Sequence, residues 1–240
     1  MPPRPPIRRA PPRRIAGARG ASKHPGTRAS RGTSRAAAPT AYHHGDLPNA
    51  LVAAALDLIR EAGLEGLTLR AVARRAGVSE AAPYRHFADK DALLAAVAEQ
   101  GFLALGRKMD AEASREPGAD VLTRLRRLGA AYVRYAVENP AHFRVMMGPV
   151  VARRKDYPSL DRVANASFGR LLAVLAEAQQ VGIVAEGQLQ DIGLAAWSFV
   201  HGLAALAIEG HLDEWLSRES VAALMPRIAQ YLFLGLGPRE

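Results

Sequence analysis

The most constraining feature of the sequence is a run at residues 67–90 that predicts two short helices joined by a tight turn. Thr68 is a typical N-cap residue for the first helix, and Gly77 can end that helix with a positive φ. Ser79 can cap the second helix in the same way. Apolar residues recur in the first helix at the spacing of one buried face: Leu69, Val72, Ala73 and Ala76. The run therefore predicts a helix-turn-helix unit.

The second helix of this unit is expected to present an aromatic and basic surface. Tyr84, Arg85 and His86 follow one another, whereas a solvated helix face is usually rich in Glu and Lys. Lys90 follows the expected cap Asp89, in a first turn where a cation opposes the helix dipole, so we expect it to add nothing to helix stability. A contact with phosphate would explain that cation. The pattern favours binding to the major groove of DNA, and the alternative is a helix pair in an α protein that never meets DNA.

The charge of the chain is concentrated in its first 41 residues. This segment holds 10 of the 32 basic residues of the chain and none of the acidic ones, so the rest of the chain has 22 basic and 23 acidic residues. Pro, Gly, Ser, Ala and Arg dominate this segment, and we expect it to be disordered. It could be a basic arm that holds DNA phosphates, a segment without a role, or, less in keeping with its composition, a transit peptide.

From residue 42 onward the sequence predicts an all-α protein. Strand-like alternation is missing, and Pro or Gly punctuates helix-forming segments. We expect a helix-turn-helix domain at residues 42–90 and a second helical domain at residues 91–237. The helix at residues 47–62, which precedes the helix-turn-helix unit, should be capped by Asp46 and bury Leu51, Ala55, Leu58 and Ala62. The predicted helices are 47–62, 69–76, 80–87, 89–109, 121–138, 140–147, 159–182, 189–212 and 217–236.

The last two helices are more apolar than the surface of a monomer requires. Val221, Leu224, Ile228 and Leu232 follow a helical spacing, and small residues at 193, 196, 202 and 205 would allow a second helix to approach closely. The alternatives are packing within one chain and a two-fold interface between two chains, of which we favour the dimer. The predicted interface residues are Trp197, His201, Leu224, Ile228 and Leu232.

With these motifs in place, the chain resembles the tetracycline-repressor-like (TetR/AcrR) family of bacterial transcription regulators. The resemblance is carried by residues 67–79, by residues 84–87 and by Lys90, and it is sharp over residues 42–97. Trp197, His201 and Gly202 also resemble the Trp…His-Gly signature of one type of C-terminal domain in this family.

The resemblance implies a homodimer that binds a palindromic double-stranded DNA operator, usually to repress, and that a small-molecule effector releases. Phosphate contacts are implied for Thr68, Ser79, Tyr84, His86 and Lys90. Base contacts are implied for Glu80, Ala81, Ala82 and Arg85. Pro83 departs from the common pattern of the family, and we expect it to shift the reading helix slightly because it has no N–H.

An effector cavity is expected in the C-terminal domain, among large apolar and amphipathic side chains on helices that surround one core. The candidates are Phe102, Met109, Tyr132, Tyr135, Phe143, Met146, Met147 and Phe168. Because cavities of this kind are mostly apolar, a small hydrophobic or amphipathic effector is the default expectation. Residues of these types at helical spacing can equally be plain core.

Other classes of function have little support in the sequence. Without Cys, and with no cluster of His, Asp and Glu at metal-ligand spacing, we expect no metal, no cofactor and no catalytic residues. The alternatives kept open are a DNA-binding dimer without effector control and an all-helical transferase. We expect a cytoplasmic, nucleoid-associated protein, since the longest apolar run, at 193–208, is short for a bilayer and fits a buried helix better.

Overall fold

The computed structural model describes residues 46–213 and 221–236, and within them every regular element is helical. The expectations for residues 1–41 lie outside this part of the chain. The α-helices are α1 (Leu47–Ala62), α2 (Leu69–Arg75), α3 (Lys90–Ala113), α4 (Val121–Glu138), α5 (Pro140–Met146), α6 (Pro149–Ala152), α7 (Pro158–Gln180), α8 (Leu189–Ile208) and α9 (Val221–Leu236). Single 3₁₀ turns cover Pro83–Arg85 and Arg154–Asp156.

Helices α1 and α2 form the predicted head together with the start of α3. Thr68 caps α2, because its hydroxyl oxygen accepts a hydrogen bond from the backbone N–H of Ala71 at 3.1 Å. Gly63 and Gly77 follow α1 and α2 with φ values of 73° and 70°, a region that a residue with a Cβ rarely adopts. Asp46 occupies the N-cap position of α1, but its carboxylate accepts from the side chain of Asn49 rather than from the backbone.

The buried face of α1 differs from the predicted one. Ala62 is exposed and Leu58 is only half-buried. The face is instead wider and shifted, because α1 packs against α2, α3 and α5 and not against one neighbour alone. Its buried members are Leu51, Val52, Ala54, Ala55, Leu56 and Ile59.

Helix α3 joins the head to the rest of the molecule without a break. Its N-terminus is capped by Asp89, whose carboxylate accepts from the N–H of Ala92 at 2.8 Å. Further along, α3 packs against α4, α5, α6 and α7. The core is therefore continuous from the head into the body, and Leu51 and Leu105 belong to the same buried cluster.

The body consists of α4, α7, α8 and α9, with the short α5 and α6 beside α3. Proline opens α5, α6 and α7, where the missing N–H has no intrahelical acceptor. Helix α6 and the 3₁₀ turn after it were not predicted, and α8 ends at Ile208 rather than at 212. Gly210 follows α8 with a φ of 75°.

Helix α8 is long and apolar enough to cross a bilayer, judged by length and composition alone. It packs against α4, α7 and α9, but only 22% of its most apolar 18-residue window is buried. The prediction of a buried helix was therefore wrong for one face. That face is apolar and exposed within the single subunit.

Candidate nucleic-acid interface and internal cavity

The head presents the predicted aromatic and basic surface. Tyr84 is 53% exposed, and Arg85 and His86 are exposed beside it. Phe87, the next residue, is buried in the core together with Leu69 and Val72. This anchor holds the three outward side chains on a rigid support.

The predicted second helix is wrong, because the chain forms only one 3₁₀ turn, Pro83–Arg85. In an α-helix capped at Ser79, the first backbone bond would run from the N–H of residue 83 to the Ser79 carbonyl. Pro83 has no N–H, and the N–H of Ala82 bonds that carbonyl instead, at 2.9 Å. The N-cap position of the turn is Ala82, so Ser79 is not its cap. Thr68, Ser79 and Ala81 are exposed.

Glu80, predicted as a base contact, is paired with arginines of α2. Its Oε1 lies 3.2 Å from Nη1 of Arg74, which donates a hydrogen bond, and its Oε2 lies 3.6 Å from Nε of Arg70. Arg75 makes a two-point pair with Glu61 of α1, and that pair lowers the pKa of the Glu61 carboxyl. These pairs connect α2 to both of its neighbours.

Lys90 has a structural role that the sequence did not reveal. Its ammonium group donates a hydrogen bond of 2.9 Å to the carbonyl oxygen of Leu64, in the turn between α1 and α2. This bond ties the start of α3 to that turn, a role apart from the helix dipole on which the expectation for Lys90 was based. An ammonium group has three donors, so the predicted contact with phosphate stays a prediction.

A partly open cavity of about 370 Å³ lies in the body, lined by α3, α4, α7, α8 and α9 and by residues of the segment 146–154. Its wall is mostly apolar, and six of the eight predicted residues contribute to it: Phe102, Met109, Tyr132, Met146, Met147 and Phe168. The wall also contains Arg126, Arg154 and Asn165. These polar members were missed because no local periodicity marks them.

Tyr135 and Phe143 do not line the cavity, so the prediction for these two residues was wrong. Phe143 lies behind the wall, edge-on to Tyr132 with ring centroids 5.8 Å apart and stacked on His201 at 5.4 Å. Tyr135 is buried in the core three residues beyond Tyr132 on α4, where burial raises the pKa of its hydroxyl to about 12.

A polar cluster of Tyr132, Trp197 and His201 stands at one side of the cavity. The Tyr132 hydroxyl accepts from Nε1–H of Trp197 at 3.2 Å and lies 3.0 Å from Nδ1 of His201. The hydroxyl has one proton and two acceptor sites, so it donates to Nδ1 when the His201 proton is on Nε2 and accepts from Nδ1–H in the other tautomer. Burial lowers the pKa of His201, in agreement with a neutral ring.

The predicted interface residues Trp197 and His201 thus form hydrogen bonds inside the subunit, and Trp197 lines the cavity. Leu224 and Ile228 are half-buried against the core of their own chain. The side chain of Leu232 lies outside the described part. All four described residues are partly exposed as well, so their contact with a second chain stays a prediction.

Different residues face outward on α8 and α9. Leu194, Leu206 and Tyr231 are exposed, and a Cβ added at Gly202 would meet nothing within 4 Å. A Cβ added at Gly193 would instead lie 2.5 Å from Leu172 of the same chain. The open apolar face of α8 is thus centred on Gly202 and does not include Gly193.

Sequence comparisons match two parts of the chain to families. Residues 51–97 match the family described as "Bacterial regulatory proteins, tetR family", and residues 125–229 match "Tetracyclin repressor-like, C-terminal domain". A curated relative, the tetracycline repressor protein class A from transposon 1721 of Escherichia coli, is 54% identical over 52 residues. That match covers 22% of this chain and only 24% of the relative.

Solved structures resemble most of the chain. A protein of unknown function from Rhodococcus sp. RHA1 is 32% identical, with a TM-score of 0.68 over 83% of this chain and all of that chain. The TetR family transcriptional regulator PfmR from Thermus thermophilus has a TM-score of 0.61 at 21% identity, covering 79% of this chain and 99% of its own. At 21% identity, the likeness to PfmR shows a shared fold and nothing more.

Proposed function

Because the chain belongs to the tetR family of bacterial regulatory proteins, we propose that it is a transcriptional repressor that binds an operator and is released by an effector. The observation that carries this proposal is the exposed surface of Tyr84, Arg85 and His86 on a rigid head. Helix α3 begins in that head, and residues further along it line the cavity. Members of the family are regulators and not enzymes, which removes the transferase alternative.

At the DNA surface, phosphate contacts fall to Thr68, Ser79, Tyr84, His86 and Lys90. Base contacts fall to Ala81, Ala82 and Arg85, with Glu80 available after it leaves its arginine partners. The single 3₁₀ turn supports a shallow insertion into the major groove, because only the small residues Ala81 and Ala82 directly precede it. The methyl groups of these two residues suit the methyl group of thymine.

The cavity suits a small hydrophobic or amphipathic effector. Its volume of about 370 Å³ falls within the range of small-molecule sites, and its wall is mainly apolar. Arg126, Arg154 and Asn165 supply polar groups in that wall, with Nε of Arg154 2.9 Å from Oδ1 of Asp161, so a polar end of the effector would lie near them. The presence of this cavity favours effector control over a DNA-binding dimer with a filled core.

The exposed face of α8, together with α9, is proposed as the two-fold interface of a homodimer. Leu206 is 45% exposed there, and the open space at Gly202 allows a partner helix to approach closely. Replacement of Leu206 by Glu should shift the protein from dimer to monomer in light scattering. Val181→Glu is the matched control, because Val181 is 59% exposed outside α8 and should leave the mass unchanged. A dimeric Leu206→Glu variant would reject this interface.

The proposed protein is cytoplasmic and nucleoid-associated, with residues 1–41 as a basic arm that adds affinity independent of sequence. The DNA-binding part of the proposal is tested with Arg85→Ala in gel shifts on a palindrome from the neighbouring intergenic DNA. We expect weaker binding with relaxed sequence preference, since each specific base contact contributes about 1–3 kcal/mol. Arg162→Ala, an exposed arginine on α7, is the control. Equal binding by the two variants would refute the assignment.

A further inference from the structure

The charge distribution of the head is unusual for a surface that binds DNA. Residues 46–90 contain six acidic and six basic residues, so this segment has no net charge apart from its histidine. Arg60 and Arg75 are paired with acids of α1. Arg70 and Arg74 are both held by Glu80. Most of the positive charge of the head is therefore neutralised locally.

The cluster of Arg70, Arg74 and Glu80 lies next to the reading turn. Arg70 and Arg74 are one helical turn apart on α2, and their side chains are 71% and 64% exposed. Glu80, 52% exposed, extends from the segment before Pro83 and contacts both guanidinium groups. Ion pairs between such exposed side chains contribute little to stability, so this cluster is not explained by folding.

We infer that Glu80 is a specificity-determining residue, which keeps Arg70 and Arg74 away from the phosphates of non-operator DNA. This inference rests on the proposed function. An arginine that neutralises a phosphate releases counterions and adds affinity to every sequence alike. While Glu80 holds both arginines, that sequence-independent contribution is suppressed. A matching base pair that offers a donor to Glu80, such as the amino group of cytosine, frees the arginines to bind phosphate.

The test uses the full-length protein and an unrelated duplex, with binding measured by fluorescence anisotropy between about 50 and 200 mM salt. Glu80→Gln keeps the shape of the side chain and removes its charge. We expect tighter binding at low salt, and a slope of log affinity against log salt that steepens by about 0.9 for each arginine that reaches a phosphate. Residues 1–41 are common to all variants and add the same contribution to each.

Two controls separate the cluster from general charge. Glu65→Gln removes the same charge from the turn between α1 and α2 and should leave the salt slope close to that of the wild type. Adding Arg70→Gln and Arg74→Gln to Glu80→Gln should return the slope to the wild-type value. A Glu80→Gln slope equal to that of Glu65→Gln, or a gain that survives loss of both arginines, would overturn the inference. A wild-type protein that binds no duplex at the lowest salt concentration would instead reject the proposed function, and the inference with it.

Discussion

Removal of the Tyr132 hydroxyl, by Tyr132→Phe, should destabilise the body. The hydroxyl accepts from Trp197 at 3.2 Å and shares a hydrogen bond of 3.0 Å with Nδ1 of His201, on a residue that is 6% exposed. Its loss leaves an indole N–H and an imidazole nitrogen without their partner. Leaving a buried polar group unpaired costs about 1–3 kcal/mol, so we expect the free energy of unfolding to fall by about that amount.

The same change at Tyr135 is the control, and it is not expected to lower the free energy of unfolding. Tyr135 is 4% exposed on the same helix, and its hydroxyl has no hydrogen-bond partner among the described residues. Tyr135→Phe removes a buried polar group that is already unpaired, and it should leave stability unchanged or raise it by up to about 1 kcal/mol.

Urea unfolding followed by far-UV circular dichroism, at one fixed protein concentration, measures both variants. A loss of about 1 kcal/mol corresponds to a decrease in Tm of about 2–4 °C for a chain of this size. Equal destabilisation by the two changes would show that the hydrogen bonds of Tyr132 with Trp197 and His201 do not stabilise the body. That outcome would refute the reasoning.

Two further perturbations test the head and the buried histidines. Gly77→Ala places a Cβ at a φ of 70° and should reduce the free energy of unfolding by about 1–2 kcal/mol. The control is Ala76→Gly, one residue earlier at a φ of −76°, which exchanges the same two residue types without backbone strain. An equal effect of both changes would contradict the backbone argument. Burial lowers the pKa of His142 and His201 below the 6.5 of an unfolded chain, so the unfolded state takes up protons first as the pH falls. Stability should therefore hold above about pH 6.5 and decrease below it. His142→Gln should flatten the decrease below about pH 6.5, and an unchanged pH profile would exclude this contribution.

The helical framework was predictable because its signals are local. Helices α1 and α4 begin and end where the capping residues and the Pro and Gly breaks indicate. The Thr68 cap and the positive φ at Gly77 follow from residue type and position alone. Sequence patterns resolve such features because all the interacting atoms lie within one turn of each other.

The site was harder to predict because its key contacts join residues that are distant in sequence. The bond from Lys90 to Leu64 spans 26 residues, and that from Tyr132 to His201 spans 69. Helical spacing predicts that a face is apolar, but it does not say whether the face meets its own chain or a second one. For this reason the spacing that predicted Trp197 at an interface did not reveal that its side chain also lines the cavity of its own subunit. The effect of Pro83 was underestimated: a slight shift of an α-helix was expected, but the reading segment forms only a single 3₁₀ turn.

In the proposed regulator, the uninterrupted course of α3 would couple the cavity to the DNA-binding surface. Its 24 residues span about 36 Å at 1.5 Å per residue, with the DNA-facing unit at one end and cavity-lining side chains further along. The cavity-lining residues of α3, from Phe102 to Met109, lie about 18–28 Å along the axis from Lys90, so a tilt of about 5° at the cavity moves the N-terminal tip by about 2 Å. In a two-fold assembly the two tips would move in opposite directions, and the mismatch would reach about 4 Å against half-sites about 34 Å apart. A molecule filling a space of a few hundred cubic ångströms therefore needs to displace one helix only slightly to spoil the fit to a duplex.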